Sequence, residues 1–141
     1  MNARTCLTIL ALFAVLSGSL ACGEKTPTEP DAPVYDLKTE TFTGNVKAQG
    51  TTAFPFTVVN PGDIQVAITA LAPNSGVTMG IGMGFWDPTT SACNQQLSTT
   101  AATLNVAFAA SPQSPGEYCV AIFDTGNVQV SSDFTLTVTH Y

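Results

Sequence analysis

The stretch Ile64-Gln65-Val66-Ala67-Ile68-Thr69-Ala70-Leu71 decides the fold. Ile64, Val66 and Ile68 fall at every second position, with Gln65, Ala67 and Thr69 between them. Successive side chains of a strand point to opposite faces, whereas helical apolar positions recur every three or four residues. The pattern is therefore that of a half-buried strand with Ile64, Val66 and Ile68 inward. Turn sequences bound it: Asn60-Pro61-Gly62-Asp63 before, Ala72-Pro73-Asn74-Ser75-Gly76 after.

The same period extends in both directions. Upstream, 39–46 alternates around Phe42 and is expected to end at Gly44-Asn45, and 53–59 places Phe54, Phe56 and Val58 on one face. Downstream, 77–86 leads to the turn Asp87-Pro88-Thr89-Thr90, followed by a short strand at 93–97. Next comes 103–109 with Leu104, Val106 and Phe108 on one face, then the break Ser111-Pro112-Gln113-Ser114-Pro115-Gly116. Segment 118–124 is apolar on both faces (Tyr118, Val120, Ile122 against Cys119, Ala121, Phe123), which predicts a central strand covered on both sides. The last strand, 133–140, sets Phe134, Leu136 and Val138 against threonines. No stretch sustains a helical period. The expected fold is all-β, a single antiparallel β-sandwich of about eight strands, jelly-roll or Greek-key in kind.

The N-terminus has a different composition. Arg4, the apolar run 7–16 and the small-residue exit Ser17-Gly18-Ser19-Leu20-Ala21 describe a secretory signal peptide over 1–21. Cys22 directly after it resembles the lipobox cysteine of bacterial lipoproteins, with Ser19 where that motif usually has Leu, Val or Ile. The resemblance implies lipidation of Cys22; the alternative is an ordinary leader cut near Ala21. Gly23, unlike an aspartate there, is no inner-membrane retention signal, so the expected address is the cell envelope, with the outer membrane favoured over the inner, or secretion. Residues 22–33 are rich in Pro, Thr and acids without apolar periodicity, the composition of an extended tether. The folded domain is then 34–141, enough for one core and too little for two.

Ten acids against four bases give a net charge of −6, and Arg4 is the only arginine. Neutralising phosphates takes lysine and arginine, so nucleic acid is excluded as a partner. Of the four cysteines, Cys6 leaves with the leader and Cys22 is the anchor, so Cys93 and Cys119 remain to pair as a disulfide in an oxidising compartment.

Thr41-Phe42-Thr43-Gly44, Phe54-Pro55-Phe56-Thr57-Val58 before a Pro-Gly-Asp turn, Gly116-Glu117-Tyr118-Cys119-Val120 and the closing Phe134-Thr135-Leu136-Thr137-Val138 occur in an order that resembles the bacterial pre-peptidase C-terminal domain. The resemblance spans 39–140. It implies a compact β-sandwich appended to exported proteins, related to modules that bind polysaccharide, collagen or calcium. Here a leader and tether, and no peptidase, precede it.

Nothing nominates catalysis or a cofactor. There is no G-x-S-x-G elbow, H-E-x-x-H pair or phosphate loop. The only histidine, His140, reads as a solvated strand end, and two distant thiols with one histidine make no metal set. Asp63, Asp87, Asp124 and Asp133 stand one per turn, where carboxylates usually cap the backbone. The best local candidate is Met79-Gly80-Ile81-Gly82-Met83-Gly84-Phe85-Trp86, whose period sends Gly80, Gly82, Gly84 and Trp86 to one face. A bare row either receives a neighbouring ring or leaves a groove where Trp86 could stack on a ligand. The functional expectation is a non-catalytic, lipid-anchored module for adhesion or for binding a carbohydrate or protein polymer. Its rival is a structural or chaperone-like partner of another envelope protein, such as a peptidase, engaged through an edge strand.

Overall fold

The computed structural model describes residues 34–112 and 114–141; the leader, Cys22 and the tether lie outside the described residues. Eight strands run in chain order: β1 (Lys38–Lys47), β2 (Thr51–Val58), β3 (Ile64–Ala72), β4 (Met79–Asp87), β5 (Ala92–Ala102), β6 (Ala107–Ala110), β7 (Gly116–Asp124) and β8 (Ser131–His140). They form two four-stranded sheets of order β1-β8-β3-β6 and β2-β7-β4-β5. Every pairing is antiparallel. Successive strands change sheet except for the β4–β5 hairpin, which is the jelly-roll arrangement of a β-sandwich.

Period-two patterning generates the interior. Ile64, Val66 and Ile68 of β3 face Phe56 and Val58 of β2, Ile81 of β4 and Val120 and Ile122 of β7 in one buried cluster. The cluster continues through Phe134, Leu136 and Val138 of β8. Each such aliphatic side chain removed from water contributes about 1.5–3 kcal/mol. Strand β7 is central and covered on both faces as expected, with Tyr118, Cys119, Val120, Ala121 and Ile122 all buried. Pro55 lies on the edge strand β2, where a missing N–H costs no ladder bond.

Five local expectations give way. Gly44-Asn45 does not end β1. The strand runs to Lys47, and the turn is made at Gln49 (φ 58°), with the Gly50 N–H donating to the Lys47 carbonyl at 2.8 Å. Gly44 instead makes room inside the sandwich: a Cβ there would stand 2.9 Å from the Phe134 ring, beside the stacked Phe42 and Phe54. In β3 the strict alternation is broken by a register shift between Ile68 and Ala70. One extra residue turns Leu71 inward, where it is buried.

The expected short strand at 93–97 is eleven residues long, and the expected strand at 103–109 shrinks to four-residue β6. Asn105 takes φ 61°, its N–H donates to the Ile68 carbonyl at 2.8 Å, and the Val106 N–H donates to the Thr103 carbonyl at 3.2 Å. Asparagine tolerates that left-handed conformation and closes a turn within an alternating sequence. Val106 is thereby exposed, while Leu104 and Phe108 still pack on the core. Finally, His140 is not a solvated strand end: it is 0% exposed. It continues the inward series Ser132, Phe134, Leu136, Val138, and its ring lies 5.2 Å from that of Phe56.

Candidate functional site

The glycine row is not an open groove. Gly80, Gly82 and Gly84 are all buried. A Cβ on Gly80 would collide with the Phe123 ring, one on Gly82 with the Gln95 side chain, and one on Gly84 with the backbone carbonyl of Asn94. The bare backbone is occupied by the chain's own residues, which corrects the expectation of a ligand-contact face at these three positions. Trp86 at the end of the row is half-buried.

The cover has a covalent fastening. Cys93 and Cys119 form the expected disulfide, with Cα atoms 5.6 Å apart. Yet β4 lies between β5 and β7 in the sheet, and its Gly84 is the register partner of both Cys119 and Gln95. Two strands flanking a third are nearly 10 Å apart in a flat sheet. The first residues of β5 must therefore lie across the outer face of β4, and Gly84 is the position that admits them. A register shift between Met83 and Gly84 marks where β5 leaves the regular ladder.

The turn carboxylates are engaged within the fold, on their own turns or across to neighbouring segments. Asp124 Oδ1 accepts N–H bonds from Gly126, Asn127 and Val128, and Oδ2 accepts one from Gln49. The Gln49 bond, followed by that from Val128, holds the Asp124 carboxyl below the usual range. Asp87 accepts the Thr90 hydroxyl and the Thr89 and Thr90 N–H groups, and these bonds lower it likewise. Asp133 accepts from the Asn45 amide at 2.7 Å, and Asp63 from the Ser111 hydroxyl.

The buried imidazole also serves the fold. His140 Nε2 lies 3.2 Å from Glu40 Oε1, which Lys38 Nζ approaches at 2.6 Å. Partial burial raises the Glu40 carboxyl. The hydrogen bonds from Lys38 and His140 outweigh that and leave it lowered.

Among the concavities of the described residues is a cleft of about 330 Å³ where β5 and β6 part. Ile64 and Ala110 line it from one sheet; Met83, Phe85, Leu97 and Tyr118 line it from the other. Phe85 is 51% and Leu97 45% exposed, and the Phe85 ring leans on that of Tyr118 at 5.2 Å. The polar residues at its wall are Gln96, Ser111 and Ser114, and among the described residues no charged side chain lines it. The Tyr118 hydroxyl donates to the Ser114 carbonyl at 2.8 Å, fixing the ring as part of the wall. Such a concave, mostly apolar surface with few polar groups suits an uncharged ligand or side chain. No local motif announces it, because Ile64, Phe85, Leu97 and Tyr118 meet only through strand order. The one signal in the sequence is Leu97, a single large apolar residue within the otherwise small or polar run 92–102.

No protein-family model matches the chain, and no curated protein matches it. Among solved structures it is similar to the Yersinia pseudotuberculosis-derived mitogen (YPM), with a TM-score of 0.53 and 12% identity over 75% of this chain and 88% of that one. At that identity the likeness concerns the β-sandwich fold alone.

Proposed function

We propose that this chain is a non-catalytic, lipid-anchored accessory module of the bacterial cell envelope, akin to pre-peptidase C-terminal domains, that holds an extracellular polymer at the cleft between Phe85, Leu97 and Tyr118. The observation that carries the reading is the cleft itself: half-exposed aromatic and aliphatic side chains rim an uncharged concavity, while the alternative face on β4 is sealed. A binder rather than an enzyme is supported by the buried imidazole and by the engagement of Asp63, Asp87, Asp124 and Asp133 in turn and cross-strand bonds. The leader, Cys22 and the tether support attachment outside the cytoplasm, and a disulfide fits an oxidising compartment.

The test is an array of envelope polysaccharides and matrix proteins probed with the full chain, with Phe85→Ala and Trp86→Ala beside it. The expected result is a ligand whose binding falls about tenfold or more in Phe85→Ala, as for a contact at the centre of an interface. Trp86→Ala should change it little. Phe85→Ala should cost at most about 1 kcal/mol of stability, since half the ring is already in water and one ring contact is lost. Absence of binding, or equal binding by both variants and wild type, contradicts the reading. Intact mass of the membrane-extracted protein should carry diacylglycerol on Cys22; a mature terminus without it contradicts the anchor.

A further inference from the structure

We propose that the edge of β5 beside the cleft receives an uncharged, extended segment of a partner protein, which adds to the β2-β7-β4-β5 sheet as a further strand and lowers alternate apolar side chains into the cleft. The proposal rests on the cleft being the contact site and narrows its occupant from polymer to polypeptide.

The two sheets present four edges: β1, β6, β2 and β5. Unpaired N–H and C=O groups along an edge are a template for another chain, and proteins blunt them with charge, proline or brevity. Three edges here carry such a device. β1 has Lys38, Glu40 and Lys47 along it, β2 has Pro55 at its centre, and β6 is four residues long. β5 runs eleven residues, Ala-Cys-Asn-Gln-Gln-Leu-Ser-Thr-Thr-Ala-Ala, without a charge or a proline. Its two register shifts leave Leu97, Ser98 and Thr99 regularly paired with Met83, Gly82 and Ile81. The usable ladder is thus short and begins at Leu97, the residue that also rims the cleft.

An added strand would send every second side chain to the cleft side, between Phe85 and Leu97, and the others to solvent. That combination of main-chain ladder and side-chain pocket is how sheet edges recognise peptides. A saccharide would need a dense set of polar side chains around its hydroxyls, and this wall offers Gln96, Ser111 and Ser114 beside a Tyr118 hydroxyl already donating to Ser114. The chemistry of the occupant follows from charge. The edge and the wall have none, and the chain as a whole carries −6, so a neutral apolar-alternating segment approaches without repulsion or loss of charge solvation.

The experiment uses the full chain and synthetic peptides of about ten residues, alternating Val, Ile, Leu or Phe with Thr and Ser, each beside a copy N-methylated at alternate backbone amides. Alternating peptides should bind, N-methylation should weaken binding about tenfold or more, and those amides of 97–99 that point away from β4 should gain protection from hydrogen exchange. Leu97→Lys should abolish binding while leaving the thermal transition in place, since Leu97 is nearly half exposed. Equal binding of the methylated copies overturns strand addition, as does a concentration-dependent dimer that Leu97→Lys dissociates, which would make a second copy the occupant. If saccharides bind in a Phe85-dependent way and no peptide does, only this proposal falls; if neither binds, the module reading falls with it.

Discussion

The two faces of β4 differ in what covers them. On the outer face Gly80, Gly82 and Gly84 look bare in the sequence and are sealed, by Phe123, Gln95 and the backbone of β5 held down by the disulfide. On the inner face Met79, Ile81 and Met83 look like ordinary core and are, until the strand reaches Phe85, where the sandwich opens. A row of glycines here signals that the chain returns over itself. The opening appears where two short-of-partner edges, β5 and β6, diverge.

The largest expected effects break the sealed face. Gly84→Ala sets a Cβ against backbone that cannot turn aside, so β5 must lift, at about 3 kcal/mol or more. Gly80→Ala meets a ring that can swing and Gly82→Ala the movable end of Gln95, so each should cost roughly 1 kcal/mol. Urea unfolding of the three variants checks the order; equal losses at all three would mean β5 does not lie on β4. Removing the fastening by a paired Cys93→Ser, Cys119→Ser change should cost about 3 kcal/mol for a crosslink spanning 26 residues, read in the same assay. That variant should also loosen the cleft, because Gln96, Leu97, Ala110 and Tyr118 all lie within the closed loop.

A smaller effect lies far from β5, at the end of β1 and β8. The folded-state carboxyl of Glu40 is lowered, so its stabilising contribution is complete above the ordinary glutamate value of 4.5 and is lost as pH falls through the lower folded one. Thermal unfolding of Glu40→Gln compared with wild type should show a gap that narrows on acidification below that range. A gap independent of pH would mean the carboxylate is not what His140 and Lys38 hold.

The fold was legible where alternation is unbroken. β3 as far as Ile68, β7, and β8 as far as Val138 could be read with their inward residues, since period two determines the face without knowledge of the partner strand. Reading failed where one residue changes the phase: the shift after Ile68 that buries Leu71, and Asn105, which ends a run that still alternates. His140 misled because nearness to the terminus suggested solvent, whereas its even position on β8 assigned it to the core. For the site, Cys93 and Cys119 were legible by elimination, and the glycines were legible as a place of close approach. What approaches them was not, because Phe123, Gln95 and Asn94 reach β4 only through the order β7-β4-β5. The cleft was invisible for the same reason.

Hydroxyl-radical footprinting of the folded full chain tests the central contrast most directly. Methionine is intrinsically among the most oxidisable side chains, so burial alone must protect Met79 and Met83, which are 0% and 4% exposed. The account predicts that both stay almost unmodified while Phe85 and Leu97, on the same hairpin, are labelled readily. Labelling of Met79 and Met83 ahead of Phe85 would contradict it, because β4 would then not be closed on one side and open at its end.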